Sequence, residues 1–225
     1  MKKPHLRKAV HAPHHEDAVL LRFAKTLAAR HAVPPLAVEF GALDGVTNSA
    51  THLLVTQLGW VGLWIEPNPD TYRKLVRNVQ ARKYNVETLN IAIDTEAGPA
   101  TFYPCRSTAA YSSLLPGTAR TYKLARTARY GEPVTIMRKR LVDVLDGREA
   151  GVIVIDTEGR DTAIVEDMMQ SGVRPCIVMV EGVSDQERAR QAAALTPAYM
   201  MVWERPDHLN RIYVRTELLV ERRKS

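Results

Sequence analysis

Short apolar runs recur along this chain, and segments with helical spacing separate them. The runs stand at residues 36–40, 61–65, 86–93, 151–155 and 176–180. A strand with one wet face alternates apolar and polar residues, whereas a nearly continuous apolar run needs cover on both faces. Between the runs, apolar residues fall three and four positions apart. Val19, Leu20, Phe23, Leu27 and Ala28 do so before the first run, and Pro34-Pro35 closes that segment. Ala50, Leu53, Leu54 and Leu58 repeat the pattern within a helix expected at 47–58, and Tyr72, Leu75, Val76 and Val79 within one ending near residue 82. Further helices are expected at 141–145, 161–170 and 184–195. Buried strands alternating with helices predict an α/β fold with a mostly parallel sheet. Residues 199–203 and 211–215, joined by a polar turn, predict an antiparallel hairpin at its edge and bring the main sheet to seven strands. A hairpin-like piece with Gly98 at the turn and a strand at 100–103 is expected beside it, with another short strand at 134–137.

The chain has 225 residues and is 45% hydrophobic, enough for one sizeable core. Residues 1–15, basic and rich in His and Pro without apolar period, read as a loose arm, and 16–225 as a single domain. Within it, 104–132 shows no period and reads as a variable loop. The two cysteines, Cys105 and Cys176, lie far apart, which suggests neither a disulfide framework nor a zinc site, and Cys176 reads as a small buried strand residue. No signal peptide and no membrane span is visible, so a cytoplasmic location is expected. The net charge of +6 is spread over the arm, the 120–140 region and the C-terminus. Few aromatics interleave with it, so the stacking platform of a single-strand binder is weak and nucleic acid is not the expected partner.

The acids are more informative. Glu39, Glu66, Asp156 with Glu158, and Glu181 each close a predicted strand. In an open α/β sheet, ligands bind outside the carboxyl ends of the strands. Carboxylates gathered at one edge are costly to bury unless paired or used. Between the first strand and its helix stand Gly41 and Gly45, with Ala42 and Leu43 where a dinucleotide fingerprint needs its middle glycine. That spacing suits a cofactor without a pyrophosphate, such as S-adenosylmethionine, and equally a structural turn. Glu66, about 20 residues after Gly45, is placed to accept hydrogen bonds from a ribose diol. Asp156-Thr157-Glu158-Gly159 could orient a hydroxyl, take its proton, or hold a divalent metal with Glu181, and could also cap the helix that follows.

Three stretches resemble the FkbM family of methyltransferases: residues 39–47, residues 58–62 with 65–69, and residues 155–159. Asn90-Ile91-Ala92-Ile93 before Gly98 and the Ser112-Ser113-Leu114 piece resemble it as well, and the order is kept through most of 36–215. The resemblance implies a Rossmann-like class I methyltransferase acting on hydroxyl oxygens of sugars, glycolipids or sugar-bearing natural products. It places Glu39, Gly41 and Gly45 around the methionine part of the cofactor, with Ala42 between them and Ser49 shortly after the stretch. It places Glu66 and Pro67 at the ribose and Asn90, Ile91 and Ala92 at the adenine. Asp156 and Glu158 would face the methyl group and the acceptor. Two departures keep the charge but alter the geometry: Glu39 stands where the family commonly has Asp, and Asp161 where it commonly has Glu.

The expected reaction is an in-line displacement with Asp156 as first candidate base and Glu158 as second. Ser113, Arg106 and Glu181 are the expected contacts to a small-molecule or glycan acceptor, with Arg120 and Arg126 as further anion-holding candidates. A divalent metal is possible but not indicated, and oligomeric state is left open. Two alternatives stand beside this reading: a nicotinamide-dependent oxidoreductase on the same fold, and a non-catalytic nucleic-acid-binding protein using the basic surface.

Overall fold

The computed structural model describes residues 15–115 and 129–220. Most of the expected arm, the 116–128 part of the variable loop with Arg120 and Arg126, and the basic C-terminus lie outside the described residues. In chain order the elements are α1 (Glu16–Ala28), β1 (Leu36–Phe40), α2 (His52–Leu58), β2 (Val61–Ile65), α3 (Pro69–Arg82), β3 (Val86–Leu89), β4 (Ala92–Ile93) and β5 (Gly98–Phe102). After the long loop come β6 (Val134–Lys139), α4 (Leu141–Leu145), β7 (Val152–Ile155), α5 (Asp161–Gln170), β8 (Ile177–Glu181), α6 (Asp185–Leu195), β9 (Tyr199–Glu204) and β10 (Asn210–Arg215).

The main sheet has seven strands in the order β3-β2-β1-β7-β8-β10-β9. The first five are mutually parallel, and β10 runs antiparallel to both β8 and β9. The fold is therefore the expected α/β architecture with a mostly parallel seven-stranded sheet, hairpin included. The pleat sorts the core into two layers. Val38 and Phe40 of β1, Ile153 and Ile155 of β7, and Val178 and Val180 of β8 face α4, α5 and α6. Ala37, Val152, Val154, Ile177 and Met179 face the other way, against Leu20, Ala24 and Leu27 of α1 and Leu53 and Leu54 of α2. Burial on both faces is why these strands read as continuous apolar runs. Both cysteines are buried and free, Cys176 directly before β8.

Three local expectations are corrected. Helix α2 begins at His52, not near residue 47. Asp44 turns the chain by accepting from the amides of Val46 and Thr47, and Asn48 adopts a positive φ of 61° that a helix cannot continue through. The 86–93 run is two strands, because the chain leaves the main sheet after Leu89 and β4 pairs with β6 in a second sheet of order β4-β6-β5. Gly98, expected in a turn, is the first residue of β5 and pairs with Arg138. The variable loop is thus the connection of the β5–β6 hairpin.

Candidate active site

Strand order reverses direction between β1 and β7, and a cavity of about 310 Å³ opens there at the carboxyl ends of the strands. Open α/β sheets bind ligands at this switch point, and the volume is at the lower end of small-molecule pockets. Its floor is formed by the ends of β1, β2, β7 and β8. The 109–114 segment of the variable loop overhangs it, and the start of α1 and the β9–β10 turn close its far end.

Glu39 shares its sheet face with Ala37, so its carboxylate meets the segment that enters α2. There it accepts from the Ser49 hydroxyl and the Ala50 amide, both at 2.7 Å, and from the amide and hydroxyl of Thr51. Thr51 in turn accepts from the Trp64 indole at 2.8 Å. Thr51 makes no side-chain cap of its own, and Glu39 satisfies amides at the entry to α2 in its place. Burial pushes the Glu39 pKa up, against the pull of these four bonds.

The glycines serve the protein backbone as well as any ligand. Gly41 has φ +70°, and a Cβ there would stand 2.4 Å from the Asp156 carbonyl oxygen, so glycine lets the β1 loop cross the end of β7. Gly45, at φ +73°, packs on Trp64 and Leu75, which a Cβ would strike at 2.6 Å.

Glu66, at the end of β2, accepts from the Leu43 amide at 2.9 Å and the Asn68 amide at 2.8 Å. The first bond holds Leu43 at a φ of 49°, unusual for a bulky residue. Asn68 caps α3 and donates to Ser112 at 3.3 Å, which ties the variable loop to this corner. Asn90 donates to the Glu66 and Pro67 carbonyls at 2.8 and 3.1 Å. Burial lifts the Glu66 pKa to about 8 despite its two amide donors.

The third cluster is of a different kind. Carboxylate oxygens of Asp156, Glu158 and Glu181 lie within 4.8 Å of one another, a donor set that a divalent cation could use. Burial raises the pKa values of both Asp156 and Glu158, Asp156 to about 7, with Asp161 adding repulsion to each and Asp156 adding it to Glu158. Asp161 shapes the loop by accepting from the amides of Thr157 and Gly159 at 2.8 and 3.1 Å. Glu158 sits at a positive φ of 55°, and fully buried Ser113 donates to its carbonyl at 2.7 Å. Behind the loop, Arg160 bonds buried Asp94 at 2.8 and 2.6 Å, and Arg138 bonds the same carboxylate at 2.9 Å.

Of the residues singled out from sequence, Glu39, Gly41, Glu66, Pro67, Ile91, Ala92, Asp156, Glu158 and Glu181 line this one cavity. Ala42, Gly45, Ser49 and Asn90 stand behind the lining and hold it: Ala42 donates its amide to Ile65, and the others act as described above. Ser113 is likewise a support of the Glu158 loop. Arg106 is exposed and its side chain lies against Gly131, away from the cavity. Sequence reasoning missed Glu16, Arg205 and Asn210, which line the far end. Their signal was the polar turn between the last two strands. Because β9 runs parallel to β8, that turn returns to the carboxyl edge.

The comparisons with known proteins come down on the same fold. A sequence model of the methyltransferase FkbM domain matches residues 39–205. The chain belongs to the FkbM methyltransferase family. The matched span runs from the acid of β1 to the arginine after β9, and so includes every carboxylate of the cavity except Glu16. The crystal structure of an FkbM methyltransferase from Methylobacillus flagellatus KT superposes with a TM-score of 0.51 at 13% identity, over 79% of this chain and 42% of that one. This chain therefore spans less than half of that protein's length. The N-terminal domain of human METTL16, solved in complex with SAH, superposes with a TM-score of 0.51 at 10% identity, over 96% of this chain and 74% of that one. At such identities the likeness is one of fold. No curated protein gives a significant match. Among the described residues of this FkbM-family chain, no helix is long and apolar enough to cross a membrane.

Proposed function

We propose that this FkbM-family protein transfers a methyl group from S-adenosylmethionine to a hydroxyl of a sugar, glycolipid or sugar-bearing natural product in the cytoplasm. The observation that supports the reading is the position of Asp156. It stands at the switch point, against the Gly41 turn on one side and Glu158 and Glu181 on the other. The donor set fits the cofactor. S-adenosylmethionine is cationic, and six carboxylates line the cavity with a single arginine among the described residues. Glu66 lines the cavity with one donor on each oxygen, which leaves it capacity to accept from a ribose diol, and Pro67, Ile91 and Ala92 supply an apolar seat for a base.

When bound, this cofactor supplies a methyl group already activated by the positive sulfur. The residues then have two tasks. The loops at 41–45 and 156–159 fix where donor and acceptor stand, which converts binding energy into alignment. Asp156 takes the proton of the acceptor hydroxyl onto a carboxylate oxygen. Its pKa, lifted to about 7 by burial and neighbouring acids, makes it a better base than an ordinary carboxylate at neutral pH. Glu158 and Glu181 hold adjoining hydroxyls by hydrogen bonds, which suits a polyol better than an anion.

Titration calorimetry with S-adenosylmethionine and NAD, followed by a labelled-methyl screen, tests this. The screen covers glycans, glycolipids, small hydroxylated metabolites and a short oligonucleotide. Binding of S-adenosylmethionine alone and label on a hydroxylated acceptor are expected. Folded protein that ignores S-adenosylmethionine would sink the reading. Label found only on the oligonucleotide would overturn the acceptor class.

A further inference from the structure

The far end of the cavity carries a buried ion pair that the reaction scheme leaves unused. Glu16 opens α1, and its side chain is 2% exposed. It lies outside the stretch matched by the family domain. Arg205 leads out of β9, is 15% exposed, and approaches Glu16 Oε1 with Nη1 at 3.4 Å. Asn210, at the start of β10, donates to the same oxygen at 3.2 Å. Arg205 Nη2 also meets Asp207 at 2.8 Å. Its Nε is buried and has no hydrogen-bond partner among the described residues. A buried guanidinium N–H without an acceptor costs free energy, and most such groups are satisfied by a neighbour, a water or a ligand.

Charge decides what would satisfy it. Arg205 is the only cationic side chain among the described residues lining the cavity, against Glu16, Glu39, Glu66, Asp156, Glu158 and Glu181. An anionic group entering this cavity therefore finds one charged partner. Glu39, the strand-end acid assigned by resemblance to the methionine end, spends its oxygens on Ser49, Ala50 and Thr51. The amino-acid end of the cofactor thus needs other charged contacts. A guanidinium and a carboxylate held side by side are the complement of an α-ammonium and an α-carboxylate.

We infer that the Glu16–Arg205 pair, bridging α1 and the β9–β10 turn, receives the amino-acid zwitterion of the cofactor. The inference rests on the S-adenosylmethionine reading above. The Arg205 guanidinium donates to the ligand carboxylate, and Glu16 accepts from the ligand ammonium. The pair also fastens the first helix to the last hairpin, so a bound ligand draws together two elements 189 positions apart in sequence.

The test compares two ligands that share adenosine and a thioether sulfur. S-adenosylhomocysteine carries the amino-acid group, and 5′-methylthioadenosine has a methyl in its place. Because removing one partner of a buried pair leaves an uncompensated charge, the informative variant is the double E16Q/R205Q, which removes both and keeps hydrogen-bonding capacity. Calorimetry should show S-adenosylhomocysteine weakened about tenfold or more, with 5′-methylthioadenosine bound as in the parent. Equal weakening of both ligands would make the pair structural only, and unchanged S-adenosylhomocysteine affinity would place the zwitterion elsewhere; either overturns the inference. A parent protein that binds neither ligand refutes the cofactor reading itself.

Discussion

The cavity has two walls, and both are acidic, but they are acidic in different ways. On the β1–β2 side, Glu39 and Glu66 are deep, and every one of their carboxylate oxygens already accepts from the adjoining chain. Their oxygens accept from Ser49, Ala50 and Thr51 and from Leu43 and Asn68. On the β7–β8 side, Asp156, Glu158 and Glu181 crowd within 4.8 Å of one another. No hydrogen-bond donor to the Asp156 carboxylate is found among the described residues, and its pKa reflects burial and repulsion from Asp161, Glu39 and Glu16, offset only in part by the charge of Arg205. The first wall uses carboxylates to shape backbone. The second concentrates charge that it cannot all carry, which is the condition that tunes a proton acceptor. Acids at equivalent strand ends thus do different work according to whether the adjoining loop offers them amides.

The sharpest break of that contrast is Asp156→Asn. If the β7–β8 wall does the chemistry, turnover of an identified acceptor should fall about a hundredfold to ten-thousandfold. Affinity for S-adenosylhomocysteine should stay close to that of the parent. Full turnover in this variant would remove Asp156 as the base. Glu39→Ala probes the opposite wall. It strips a shared acceptor from four buried donors, so unfolding stability should drop by about 3 kcal/mol. In a domain of this size that is roughly 6–12 °C in the melting midpoint. A midpoint shift comparable to that of an exposed substitution would mean that Glu39 is not the organiser of the entry to α2.

The two walls also differ in how far they could be read from sequence. The sheet was legible because burial on both faces leaves a plain mark, the apolar run. Its strand-end acids were legible because Glu66 and Asp156 follow such runs directly. What each acid touches was not. Glu39 stands where an acid was expected, but its partners depend on α2 starting at His52, a consequence of the Asp44 turn and the backbone of Asn48. Gly41 suggested room for a ligand, and part of its reason is the Asp156 carbonyl on a strand far away in sequence. Asn90 was placed beside adenine by resemblance, and that its side-chain amide also braces the turn after β2 was not legible. The far end was the least legible. Glu16 drew no reading of its own, and Arg205 falls in the polar turn between the last two strands. Only the direction of β9 and the course of α1 across the sheet bring them to the same cavity.

The smallest expected effect is a dependence on pH. Asp156 has its pKa lifted from the ordinary range to about 7 in the folded protein. The folded state then binds a proton more tightly than the unfolded chain. Its contribution to stability is fully present below the unfolded value and is lost as pH rises through about 7. Net charge works the other way, since a chain of charge +6 loses self-repulsion as it approaches neutrality. Glu66, with its pKa lifted to about 8, adds a trend of the same sign as Asp156, so the raw melting curve mixes several contributions and the difference between parent and Asp156→Asn isolates one. Relative to its own value at pH 5, the unliganded parent should lose on the order of 1 kcal/mol more than the variant by pH 8.5, after allowance for solvent at the half-buried carboxylate. That corresponds to about 2–4 °C. Parallel profiles would show that the β7–β8 carboxylates share their charge without strain. The two walls would then be chemically alike, and the case for Asp156 as a tuned base would rest on position alone.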